Sequence, residues 1–130
     1  MKNIFYCFLL TLTLSSCLVM TSNHSMSKGK LDIPKRESYT VVYQANFGQR
    51  LTGNAIYTGD NGKLVEQENV TGSWQKTFTL KSGTHVQLET LAKSKSESRA
   101  EYKILVEGKV VSEYVLSGKR LNYTFAFDLP

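Results

Sequence analysis

Ser73-Trp74-Gln75-Lys76-Thr77-Phe78-Thr79-Leu80 is followed by Lys81-Ser82-Gly83 and then by His85-Val86-Gln87-Leu88-Glu89. Trp74, Lys76, Phe78 and Leu80 alternate with Gln75, Thr77 and Thr79. Val86 and Leu88 alternate with His85, Gln87 and Glu89. A period of two sends successive side chains to opposite faces, so each run reads as a strand and the glycine-bearing trio as the turn between them. The same pattern extends upstream. Tyr39, Val41 and Tyr43 alternate with Thr40, Val42 and Gln44, residues 51–58 form a second run, and Gly59-Asp60-Asn61-Gly62 turns the chain into residues 64–70. Downstream, Lys93-Ser94-Lys95-Ser96-Glu97-Ser98 reads as a polar loop. Tyr102, Ile104 and Val106 then alternate up to a tight turn at Glu107-Gly108, residues 110–116 return, and Gly118-Lys119-Arg120 leads to Leu121, Tyr123, Phe125 and Phe127 on one face. No helical pattern survives past the first twenty residues. Seven or eight short strands over residues 38–130 predict an all-β domain, an antiparallel two-sheet sandwich, with a small closed barrel as the rival. Its core is expected to gather Trp74, Phe78, Val86, Leu88, Ile104, Val106, Phe125 and Phe127.

The chain has 130 residues, enough for one such domain and little more. Apolar residues make up 41% and charged residues 21%, which is the balance of a globular fold rather than a disordered chain. Two Cys and two His exclude a disulfide scaffold and leave too few ligands for a closed zinc site.

The N-terminus carries its own message. Lys2 precedes an apolar run from Ile4 to Leu14, the length of a signal-peptide core and short for a membrane span. Leu14-Ser15-Ser16-Cys17 resembles a bacterial lipobox, an apolar residue and two small ones before a cysteine. The resemblance implies a lipoprotein signal peptide over residues 1–16, cleavage before Cys17 and a diacylglycerol on its thiol. An ordinary secretory peptide or an uncleaved anchor is the alternative. Leu18, rather than Asp, after the cysteine implies outer-membrane sorting where there is an outer membrane. Residues 17–37, polar and without periodicity, read as a lipidated N-terminus and flexible tether ending near Pro34. Without Lys2, fifteen basic residues face eleven acidic ones, and four of the basic ones, Lys28, Lys30, Lys35 and Arg36, lie in that tether. Nucleic acid is a poor match for an exported, anchored chain.

Three stretches together resemble a known family: residues 55–62 (AIYTGDNG), residues 69–80 (NVTGSWQKTFTL) and residues 104–111 (ILVEGKVV). Their order and spacing are similar to the MmpS family, small accessory proteins of mycobacterial membrane transport. The resemblance spans roughly residues 38–116. It implies an Ig-like β-sandwich exposed beyond the membrane, working beside a large transporter. Family members have one transmembrane helix and two domain cysteines. Here the expected anchor is the lipobox-like motif, and Tyr102 stands about where the first cysteine would fall.

Trp74, the sole Trp, reads first as a core or sheet-packing aromatic in line with Phe78, with a stacking platform for a sugar or partner as the alternative. Lys93, Lys95 and Arg99 read by default as a solvated loop, with a contact for an acidic partner as the alternative. His24 and His85 lack partners with metal-ligand spacing. Glu66 and Glu68 share a strand face but read as surface charge. No nucleophile elbow, phosphate loop or metal-binding His pair is present, so no catalytic, cofactor or metal residue is expected and the chain is not read as an enzyme. Two functions remain: a lipid-anchored cell-envelope protein assisting a membrane transport or surface assembly, or a glycan- or other ligand-binding module displayed on the envelope. Outward-facing aromatic rings would favour the second; buried rings would favour the first.

Overall fold

The computed structural model describes residues 21–130; the stretch expected to be a signal peptide, and Cys17, lie outside them. Seven strands follow in order: β1 (Thr21–Lys30), β2 (Ser38–Phe47), β3 (Thr52–Thr58), β4 (Leu64–Val70), β5 (Ser73–Lys81), β6 (His85–Val106) and β7 (Lys109–Asp128). They belong to one hydrogen-bonded sheet with the path β1-β7-β6-β2-β5, and β3 bridges β6 to β4. The all-β expectation holds, and the sheet is not closed into a barrel.

Three expectations are corrected. The arrangement is mixed rather than purely antiparallel, because β1 runs parallel to β7, with Thr21 beside Arg120 and Met26 beside Phe125. The stretch read as a flexible tether therefore contains a strand. Beyond it, the Leu31 amide donates to the Asp128 carbonyl, and the Tyr39 hydroxyl donates to the Pro34 carbonyl while accepting from the Arg36 amide. Hydropathy patterning misses β1 because an edge strand is held by its backbone ladder and leaves most side chains in solvent. Finally, Lys93–Ser98 is no loop between strands but a bulge inside one 22-residue strand.

That bulge shapes the molecule. Lys93 pairs with Arg120 and Ser98 with Gly118, so four residues of β6 oppose the single Lys119 of β7. The excess length bends the ribbon sharply. On one side of the bend β6 pairs with β3, and on the other with β2. The sheet thereby folds over, and two cross-strand rows face each other. One runs His24, Tyr123, Thr90, Ala55, Gln67; the other runs Tyr114, Tyr102, Ala45, Trp74. The rows meet in register. The His24 and Tyr114 rings stack at 3.7 Å, those of Tyr102 and Tyr123 at 4.4 Å, and the Trp74 indole N–H donates to Gln67 Oε1 at 3.1 Å.

The expected core forms with one exception. Trp74, Val86, Leu88, Ile104, Val106, Phe125 and Phe127 are buried, while Phe78 is half-buried against Tyr43 and Tyr57. At the far end from the bend, Glu107 (φ 51°) and Gly108 (φ 74°) make the β6–β7 hairpin turn. Two successive positive φ angles match the right-handed strand twist.

Candidate functional site

Lys93, Lys95, Glu97 and Arg99 follow the period of two through the bulge, so all four project outward while Ala92 and Ala100 are buried. Across the ladder, Lys119 and Arg120 are exposed where β7 crosses the bend, and Thr21 lies beside Arg120. Thr52 pairs with Lys93, which brings the preceding Arg50 to the same end. The 48–50 loop is pinned there. The Gly48 amide donates to the Arg99 carbonyl at 2.9 Å, and a Cβ at Gly48 would sit 2.7 Å from that oxygen, so only glycine fits without displacement. The Ser98 hydroxyl donates to the Gln49 carbonyl. Five exposed cations, Arg50, Lys93, Lys95, Lys119 and Arg120, thus crown the bend. A sixth, Arg99, is turned toward Glu101 at 3.0 Å.

Two of the three basic residues singled out in the sequence, Lys93 and Lys95, belong to this crown, and Arg99 borders it. Trp74 does not. It is 7% exposed, packs on Tyr57 at 5.4 Å and spends its indole N–H inside the fold, so its ring offers no face to solvent. Sequence reasoning missed Arg50, Lys119 and Arg120. Counting outward from the Glu107-Gly108 turn would have set Lys119 and Arg120 opposite the lysine- and serine-rich stretch, because a hairpin pairs residues symmetrically about its turn.

A second feature lies on the outer face of β5, β2, β6 and β7. An open trough of about 550 Å³ is floored by two outward rows: Gln75, Gln44, Lys103, Glu113, and Ser73, Asn46, Glu101, Val115. Its polar groups largely satisfy one another. Lys103 approaches Glu113 at 3.6 Å, the Gln44 amide donates to Gln75 Oε1, and Arg99 pairs with Glu101. Such exposed pairs contribute roughly 0–1 kcal/mol each and leave the trough without net charge. Tyr114 reaches its rim, with one ring face covered by His24.

The remaining tyrosines are structural. Burial pushes the Tyr43, Tyr102 and Tyr123 phenols up, Tyr123 to about 12, against partial relief from the Thr58, Thr90 and Ser112 groups respectively. Tyr43 donates to the Thr58 carbonyl at 2.8 Å, and the Tyr123 hydroxyl pairs with Ser112 Oγ at 2.6 Å. Tyr102 and Thr90 lie close enough for the Thr90 hydroxyl to ease that shift, yet neither oxygen has a partner of good hydrogen-bond geometry. Among the described residues, no group of three or more His, Cys, Asp or Glu is placed to hold a metal ion. The chain matches no family model and no curated protein.

Proposed function

We propose that this chain is a non-enzymatic, lipid-anchored protein of the bacterial cell envelope that assists a membrane transport or surface assembly. The observation that carries this reading is the direction of the aromatic side chains. Trp74 and five of the six tyrosines in residues 21–130 are buried, and the partly exposed Tyr114 is capped by His24. A glycan-binding module presents flat rings to solvent for stacking. This domain spends its rings on internal packing and presents a charged end and a self-paired polar trough instead. The lipobox at residues 14–17 supports anchoring through Cys17, and Leu18 supports the outer membrane. In this reading the folded-over sheet, with its two facing rows, is the Ig-like sandwich of the MmpS-like accessory proteins. Lipid on Cys17 replaces their transmembrane helix.

The trough favours a second reading, a module for a polar ligand. Its volume lies in the range of small-molecule sites. Capture from intact, crosslinked membranes separates the two. An envelope protein recovered in fixed ratio with this chain supports the accessory role. Recovery of envelope glycan alone, lost when Gln44 and Asn46 are replaced by Ala, overturns it in favour of the ligand module.

A further inference from the structure

The net charge of the described chain is not spread over its surface. Residues 21–130 hold fifteen Lys and Arg against eleven Asp and Glu, a surplus of four. The bend accounts for all of it. Arg50, Lys93, Lys95, Arg99, Lys119 and Arg120 stand there against Glu97 and Glu101, while everywhere else nine cations meet nine anions. This end is also where the chain enters the fold. Thr21 opens β1 beside Arg120, and the Ser22 hydroxyl donates to the Ser117 carbonyl at the bend. Only Leu18, Val19 and Met20 separate Cys17 from Thr21. Even fully extended, that link reaches roughly 14 Å, at about 3.5 Å per residue.

We infer that the bend is the membrane-facing end of the molecule, and that its cationic crown binds the anionic headgroups of the lipid surface in which the anchor sits. The inference rests on the reading of Cys17 as the acylated residue. A tether of twenty free residues would let the domain tumble at a distance. With β1 zipped onto β7 only three residues separate Cys17 from the sheet, and an acylated Cys17 would keep the bend within roughly 14 Å of the headgroups. Cations near an anionic surface are attracted over about a Debye length, roughly 8–10 Å, so this distance decides whether the crown acts at all. The opposite end, with the Glu107-Gly108 turn and charge-balanced surroundings, then faces away and is left for a partner.

The test is amine-reactive footprinting of the full-length protein, read by mass spectrometry, in vesicles of phosphatidylcholine alone and of phosphatidylcholine mixed with phosphatidylglycerol. The expected result is a drop of about threefold or more in labelling of Lys93, Lys95 and Lys119 on the anionic vesicles, reversed by raised salt, with Lys63 and Lys109 unchanged. Equal labelling of the bend lysines on both vesicles overturns the inference, as does uniform protection of all lysines. Protection that requires added membrane proteins also overturns it, and assigns the crown to a protein partner. The N-terminal peptide of the same samples reports the anchor separately. Bend protection with an unmodified Cys17 sustains the headgroup contact and removes the anchor. An acylated Cys17 without protection does the reverse.

Discussion

The hydroxyls of Tyr43 and Tyr102 are equally deep but differently provided for. Tyr43 donates to the Thr58 carbonyl, whereas Tyr102 and its neighbour Thr90 leave two buried oxygens without partners. Removing a satisfied buried hydroxyl forfeits its hydrogen bond, while removing an unsatisfied one relieves a desolvation cost. Tyr43→Phe is therefore expected to cost about 1 kcal/mol, and Tyr102→Phe to be neutral or stabilising by up to about 1 kcal/mol. Urea unfolding of the two variants side by side checks this, and the reverse order would mean the hydroxyl partners are misassigned. Phe78 gives a companion case. It lies on the inner face as its period demands, yet it is only half-buried against Tyr57 and Tyr43. Phe78→Ala should cost about 2 kcal/mol, below the roughly 3–5 kcal/mol of a fully enclosed phenylalanine. A loss above about 4 kcal/mol would show that the ring is enclosed after all.

At the scale of elements, what was legible in the sequence was whatever side chains encode. The alternations at 39–44, 74–80, 85–89 and 102–106 marked four strand regions and their inner faces, and Glu107-Gly108 marked its hairpin. What was not legible was set by backbone. β1 is an edge strand whose ladder to β7 leaves most side chains exposed, so Thr21–Lys30 carries no hydrophobic period. The bulge at 94–97 keeps its strand identity through pairing register rather than composition, so its lysines and serines read as loop. The candidate site divided the same way. Lys93 and Lys95 were visible as a local run, but Arg50, Lys119 and Arg120 join them only through pairing across strands. The role of β1 is testable by truncation. A chain starting at Ser38 loses the β1 ladder, the burial of Leu31 and the His24 cap on Tyr114, and should be about 2–4 kcal/mol less stable than one starting at Thr21. Matching denaturation midpoints for the two chains would mean that β1 docks without holding the fold.

For the whole molecule, three buried phenols give stability a definite pH dependence. Burial raises Tyr43, Tyr102 and Tyr123 above the ordinary value of 10.0, with Tyr123 at about 12. As pH rises past 10 the unfolded chain releases these protons before the folded chain does, so the folded state binds more protons and stability falls. The stabilisation is whole below pH 10 and declines from there toward 12 and beyond, by up to about 1.4 kcal/mol per pH unit for each tyrosine. Denaturation midpoints across pH 9 to about 11.5 should show the fall beginning near 10, and Tyr123→Phe should make it shallower. A midpoint that stays level to pH 11.5 would contradict the burial of these rings. On the same scale, three residues between Cys17 and β1, with the whole charge surplus at that end, are the two features behind the proposal that an acylated Cys17 would seat the domain on a lipid surface in one orientation. The proposed anchoring depends on acylation of Cys17, whereas the headgroup contact of the crown is read separately by the footprinting. The measurement that reaches the anchoring most directly is the mass of the N-terminal peptide of the protein recovered from cell membranes, compared with a Cys17→Ala variant. The expected result is a chain that begins at Cys17 and carries acyl chains, with the variant lost from the membrane fraction. An intact or unacylated N-terminus, with the variant retained in the membrane as before, would contradict it.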